Sequence, residues 1–165
     1  MYLRNLCEND LDGMYEWMHD LNVIQWFSFD GMKMTENDVR SFIERNKDLQ
    51  TDTKHYAIVK EGEYAGTLSL KNIDTKNMHA EMAISVRTCF QGSGLAEKAV
   101  RELFQLALDE LGLHKIYLNV MANNGRAKKF YEKVGFEMVG KSKEHLCKDD
   151  CFIDLDWYEI LLEGK

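Results

Sequence analysis

The sequence predicts an α+β fold, a mixed and mostly antiparallel central sheet with helices on both faces, in the order β-α-α-β-β-β-α-β-α-β-β. Three observations carry that prediction. Extended runs at 55–60, 64–74 and 78–86 follow one another, the first two joined around Glu61-Gly62-Glu63, as consecutive antiparallel strands do. The run 95–111 places Leu95, Ala96, Ala99, Val100, Leu103, Phe104, Ala107, Leu108 and Leu111 on one stripe, with Lys98, Arg101, Glu102, Gln105 and Asp109 opposite, the signature of one long amphipathic helix. Two strand–helix units, 78–86 with 95–111 and 115–121 with 124–134, sit within these antiparallel runs, so helices must cover both faces.

The remaining elements follow in chain order. Residues 2–6 read as a short opening strand. A helix over 9–21 has Asn9 or Asp10 to cap it and Leu11, Met14, Tyr15 and Met18 on its buried stripe. The segment 23–33, with Ile24, Trp26, Phe27, Phe29 and Gly31, is irregular and reads as an aromatic loop or a broken helix. Thr35 caps a second helix with Val39, Phe42, Ile43 and Leu49 inward and Glu36 and Asp38 in the favourable first turn. Strand 78–86 alternates Met82, Ile84 and Val86 against Glu81, Ala83 and Ser85, and strand 115–121 puts Ile116, Leu118 and Val120 on one face. The helix over 124–134 turns Ala127, Phe130, Tyr131 and Val134 inward and stops at Gly135; strands over 136–145 and 151–162 close the sheet. No linker, repeat or low-complexity tract interrupts the chain, so 1–165 reads as one domain.

Composition narrows the function classes. The 165 residues carry a formal charge of −7 with scattered basic residues, which gives no nucleic-acid footprint and no polybasic membrane anchor. Cys7, Cys89, Cys147 and Cys151 form no C-x-x-C pair and the five histidines do not cluster, so no metal is expected. With no leader-like segment and no apolar run of membrane length, reduced thiols in a cytoplasm are the expectation.

The most telling stretch is Gln91-Gly92-Ser93-Gly94-Leu95-Ala96, a glycine loop between a strand and a helix. The first turn of a helix leaves N–H groups unpaired, and the dipole adds partial positive charge, so an anion is stabilised there. Glycines at 92 and 94 let the backbone approach it closely. A dinucleotide fingerprint would need glycine where Glu97 stands, and a P-loop would need Gly-Lys-Ser/Thr, which is absent. A tight turn with glycines for steric reasons alone is the other reading.

This order of elements, with Gln91-x-x-Gly94-x-Ala96 and Asn124-Gly-Arg-Ala127-Lys-Lys-Phe130-Tyr131-Glu-Lys-Val-Gly135-Phe136, resembles the GCN5-related N-acetyltransferases over essentially the whole chain. It is most similar to the subgroup with ribosomal-protein N-terminal, spermidine and nucleotide-amino-sugar acetyltransferases. The resemblance implies the acyl-CoA N-acyltransferase fold and acetyl-CoA as co-substrate. Its pyrophosphate would lie on the amides of Gln91, Gly92, Ser93, Gly94, Leu95 and Ala96, and its pantetheine arm in the splay between the strand ending at Val86 and the strand at Ile116. An N–H near Ser85 or Val86 would hold the thioester oxygen. Asn124, Ala127 and Lys128 would also meet the cofactor, with Arg126 and Lys129 near its adenosine phosphates. A helix N-cap is the alternative for Asn124, and solvation the alternative for the basic residues.

The resemblance makes Tyr131 the acid that protonates the departing thiolate, against a plain core tyrosine on an apolar stripe. Glu81, on the strand leading to the loop, is the candidate base that renders the amine neutral, against an exposed strand glutamate. The acceptor is a small-molecule or peptide amine: polyamine, peptide N-terminus or amino sugar. Trp26, Phe27 and Phe29 with the carboxylates Glu144, Asp149, Asp150, Asp154 and Asp156 and with Tyr158 suit a cationic amine, and this acidic rim leans toward a polyamine or peptide amine over a nucleotide sugar, against edge-strand charges that only prevent aggregation. A non-catalytic acyl-CoA-binding module and a nucleotide-binding regulatory domain are the rival classes. Trp157, Ile160, Leu161 and Leu162 suit a homodimer contact and burial within one chain equally well.

Overall fold

The computed structural model describes residues 1–48 and 51–163, and Leu49 lies outside them. Seven strands form one sheet in the order β1-β2-β3-β4-β5-β7-β6. β1 is Leu3–Asn5, β2 Lys54–Lys60, β3 Glu63–Asp74, β4 His79–Val86, β5 Lys115–Met121, β6 Glu137–Lys148 and β7 Cys151–Leu161. Every neighbouring pair is antiparallel except β4 with β5. The helices are α1 Leu11–Met18, α2 Leu21–Ile24, α3 Glu36–Asn46, α4 Leu95–Asp109 and α5 Gly125–Lys133.

Strand alternation divides the molecule into two cores. One face carries Leu68 and Leu70 of β3, Ala80 and Met82 of β4 and Ile116, Leu118 and Val120 of β5, covered by Ala99, Val100 and Leu103 of α4 and Tyr131 of α5. The other carries Ala57 and Tyr64, covered by Met14 and Trp17 of α1, Val23 and Ile24 of α2 and Val39 and Ile43 of α3. Side chains at i and i+1 face opposite ways, so β2 and β3 each serve both cores, Tyr56 and Ile58 of β2 on one face and Ala57 on the other.

Turn chemistry fixes the hairpins. Lys60 faces Glu63 across the two-residue loop Glu61-Gly62, both with positive φ; Lys148 faces Cys151 across Asp149-Asp150 in the same way. α3 begins at a reciprocal cap, Thr35 Oγ1 accepting from the Asp38 N–H and Asp38 Oδ2 accepting from the Thr35 N–H. Gly135 takes φ +108 and ends α5 as expected.

Two expectations need correction. The helix expected over 9–21 is a 3₁₀ turn at Glu8–Asp10 and then α1, which stops at Met18, and the irregular segment after it opens on the one-turn α2. Asp20 adopts an extended backbone and its carboxylate caps the Asn22 N–H at 3.0 Å, which restarts the helix. β6 runs to Lys148 instead of ending near 145, through irregularities between Met138 and Gly140 and between Ser142 and Leu146, with Glu144 at φ +47. Of the closing residues, Leu162 is buried in the monomer's own core, Ile160 packs against it, and Leu161 is exposed.

Candidate active site

β4 and β5 are paired only at His79–Lys115, Ala80–Ile116 and Glu81–Tyr117; beyond those residues the parallel strands separate. A cavity of about 500 Å³ occupies the opening. It brings together Glu81, Ser85, Val86, Gln91, Gly92, Ala96, Asn124, Ala127 and Tyr131, nine of the residues singled out from sequence. Ser93, Gly94, Leu95 and Lys128 do not line it.

Backbone parity along β4 decides which amides face the opening. The Arg87 N–H bonds to Ala65 O on β3, and the β3–β4 register then directs the Ser85 peptide toward β3 and the Val86 peptide away from it. The free strand N–H therefore belongs to Val86, with Ile84 two residues back, and not to Ser85. The Val86 carbonyl, turned the same way, accepts from Gln91 Nε2 at 3.0 Å, which ties the glycine loop to the strand end.

The loop itself is a concave run of backbone. Gly92 and Gly94 take φ +75 and +79, and Gly94 is the residue from which α4 starts. Ser93 Oγ donates to Phe90 O at 2.6 Å and so braces the turn from below. Leu95 points into the core, leaving the N–H groups of Ala96 and Glu97 in the first helical turn without an intrahelical acceptor. Successive N–H groups around residues in left-handed conformation form an anion-binding concavity at the positive end of the α4 dipole.

The two titratable candidates stand on opposite faces of the sheet. Tyr131 comes from α5 on the α4 side, 9% exposed, with its ring among Phe130, Phe136 and Tyr158. Burial pushes its phenol up to about 12, so it stays protonated at neutral pH and can only donate. No hydrogen-bond partner for its hydroxyl exists among the described residues. Glu81 points to the α1–α3 side, its side chain 13% exposed. Asn119 Nδ2 donates to one of its oxygens at 2.9 Å and Asn72 Nδ2 to the other at 3.1 Å, with Lys71 Nζ at 3.9 Å. Asn72 reaches it because β3 is irregular between Lys71 and Asp74, with Asn72 at φ +51.

Asn124 satisfies both readings, since Oδ1 caps the Ala127 N–H at 3.2 Å while the residue lines the cavity. Lys128 turns elsewhere. Its Nζ lies 2.7 Å from the Asp156 carboxylate, which Lys141 also holds at 2.7 Å. Burial opposes the charge on Asp156, but the two ammonium groups outweigh it and keep the carboxyl below the usual range. Of the basic residues on α5 it is Arg126 that reaches the cavity.

The wall on the Glu81 side combines Asn22, Val23, Trp26, Phe27 and Ser28 with Asn119, Met121, Leu146 and Leu155. Phe27 is seated against Trp17 and Phe29 at ring separations of 5.5 and 5.6 Å. Lys148, at the tip of the β6–β7 hairpin, donates to the carbonyls of Ile24, Gln25 and Phe27 at 3.1, 2.8 and 2.5 Å. Sequence reading missed Lys148, Asn72 and Asn119. None belongs to a motif, and only the three-dimensional register reveals them.

The splayed parallel pair, the glycine loop opening a helix and the inward tyrosine define an acyl-CoA-dependent transferase class. Residues 1–137 match the acetyltransferase (GNAT) domain family, and the chain belongs to that family. It is an N-acetyltransferase by class. The chain is 29% identical over 104 residues to a putative ribosomal N-acetyltransferase of Bacillus subtilis, covering 63% of this chain and 57% of that protein. It is 28% identical over 145 residues to the spermidine N(1)-acetyltransferase of Escherichia coli K12, covering 84% and 74%. The crystal structure of spermidine N-acetyltransferase from Vibrio cholerae in complex with CoA and spermine superposes with a TM-score of 0.86 at 22% identity, covering 97% of this chain and 94% of that one, which establishes the shared fold. No described helix is long and apolar enough to cross a membrane.

Proposed function

We propose that this chain transfers the acetyl group of acetyl-CoA to a primary amine by direct attack in a ternary complex, with the two substrates entering from opposite faces of the sheet. The carrying observation is the separation of β4 from β5 beyond Glu81 and Tyr117, which connects the α4–α5 face to the α1–α3 face through one cavity. The amides of Gly92, Gly94, Ala96 and Glu97 would hold the diphosphate, with Arg126 as a cationic neighbour. The outward peptide edge of Met82, Ile84 and Val86 would pair with the amide-bearing arm like an added strand.

At the reacting end the Val86 N–H would face the thioester oxygen as negative charge develops on it. Glu81, held in place by Asn72 and Asn119, takes a proton from the incoming ammonium directly or through water. The free amine adds to the carbonyl carbon, its nitrogen loses a second proton to water as the C–S bond breaks, and Tyr131 passes its phenolic proton to the departing thiolate and regains one from solvent. Burial raises the phenol and so keeps it in the protonated form until the thiolate departs. The four cysteines carry no disulfide, in keeping with a cytoplasmic setting.

Release of free coenzyme A from acetyl-CoA across a panel of primary amines tests the reading. Saturable coenzyme A binding without release on any amine would replace it with an acyl-CoA-binding module.

A further inference from the structure

We infer that the acceptor is a primary monoamine carried on an apolar or aromatic body, such as an arylalkylamine, and not a polyamine. The inference rests on the transfer reaction proposed above and concerns the chamber on the Glu81 side of the sheet. Charge and wall chemistry both point this way.

Among the described residues Glu81 is the only carboxylate lining the cavity, and Lys71 lies 3.9 Å from it, so the chamber holds one negative group already balanced by a positive one. Several of the carboxylates that the closing strands carry are turned away or engaged. Asp156 is buried between Lys128 and Lys141 on the opposite face, and Asp154 Oδ1 accepts the Glu144 N–H at 2.7 Å. Asp149 and Asp150 form the hairpin turn. A polyamine would present further ammonium groups beyond the one that reacts, and these would meet no carboxylate in the chamber. An ammonium desolvated without a partner is strongly disfavoured.

The remaining wall suits a different body. Val23, Trp26, Phe27, Met121, Leu146 and Leu155 supply an apolar surface, with Asn22, Ser28 and Asn119 as neutral polar groups beside Glu81. Lys148 fixes the aromatic part of that wall by donating to three carbonyls of the Ile24–Phe27 stretch, so the surface is held in place before a ligand arrives. An amine nitrogen at Glu81 then leaves its substituent against Trp26 and Phe27.

The test compares kcat/KM for 2-phenylethylamine, ethylamine and spermidine by coenzyme A release, alongside calorimetric coenzyme A binding. The expected result is 2-phenylethylamine ahead of both others by about tenfold or more. Trp26→Ala should erase most of its lead over ethylamine while leaving coenzyme A binding unchanged. Leu146→Asp, which adds a second carboxylate to the wall, should raise spermidine relative to 2-phenylethylamine. Spermidine ahead of 2-phenylethylamine in the unaltered enzyme, or ethylamine equal to it, overturns the inference while leaving acetyl transfer standing. Coenzyme A binding with no release on any of the three amines also overturns the inference, and the wider amine panel then decides whether acetyl transfer stands.

Discussion

Replacing Tyr131 with phenylalanine deletes one oxygen from a ring that the fold already holds. The ring contacts with Phe130, Phe136 and Tyr158 do not involve the hydroxyl, and no protein group loses a hydrogen-bond partner when it goes. Stability should therefore change by less than about 1 kcal/mol, a shift of about 2–4 °C at most for a domain of this size. Coenzyme A affinity should be nearly unchanged, because the loop amides and Arg126 are untouched. Turnover is different. A positioned proton donor contributes about 10²–10⁴-fold, and here the proton moves as the C–S bond breaks. We expect kcat to fall at least 100-fold with KM for acetyl-CoA within about twofold. Because burial holds the phenol near 12, the wild-type profile should show no alkaline decline below about pH 10 from loss of this acid. Thiol release followed by a chromogenic disulfide, from pH 6 to 10, gives both quantities. A variant kcat within twofold of wild type would remove Tyr131 from the mechanism.

Glu81→Gln removes the base and also sets an amide donor against one of Asn72 or Asn119. kcat/KM should fall about 10²-fold, and an unchanged pH–rate profile would exclude Glu81. Gly94→Ala meets no neighbouring atom, since nothing lies within 4 Å of an added Cβ, but φ +79 imposes about 1–2 kcal/mol of backbone strain. KM for acetyl-CoA should rise severalfold with the amine KM unchanged, and a loss confined to the amine side would contradict the diphosphate assignment. His55 on β2 is pushed down to about 4, first by burial and then by Lys71, while its unfolded value is near 6.5. The unfolded chain thus binds more protons between those values, so stability falls as pH drops from about 7 to 4. After discounting for partial exposure the loss is about 1–2 kcal/mol, and His55→Gln should flatten that part of the urea-midpoint curve relative to wild type.

Much of the fold was legible because its periodicities are strong. The stripe of α4 and the alternation of β5 reproduce the observed elements to within two residues, the latter at identical bounds. Where the reading slipped, local structure outcompeted the pattern: α1 stops at Met18 and the Asp20 cap opens a new turn at Leu21, and the 142–146 irregularity carries β6 past its expected end. Neither feature alters hydropathy, so neither leaves a mark on a periodicity count. The glycine loop was legible for a different reason. Both of its glycines take left-handed backbone, a demand that the residue type itself advertises.

The acceptor side was the least legible, and strand parity explains why. Asp154, Asp156 and Tyr158 sit two apart on β7, and their shared face is the one carrying α5, where Lys128 meets Asp156. Leu155 lies between them in sequence and therefore on the other face, opposite Met121, where it lines the cavity. Counting carboxylates near the chain end thus assigned charge to the wrong side of the sheet. The same parity removes Lys128 from the cofactor loop, because a helix packed on that face brings its lysine to the buried aspartate. A shift of one residue in the β5–β7 register would exchange the two faces of β7 and give the chamber an acidic wall instead of an apolar one, so the choice of acceptor is written in that register as much as in the residues themselves.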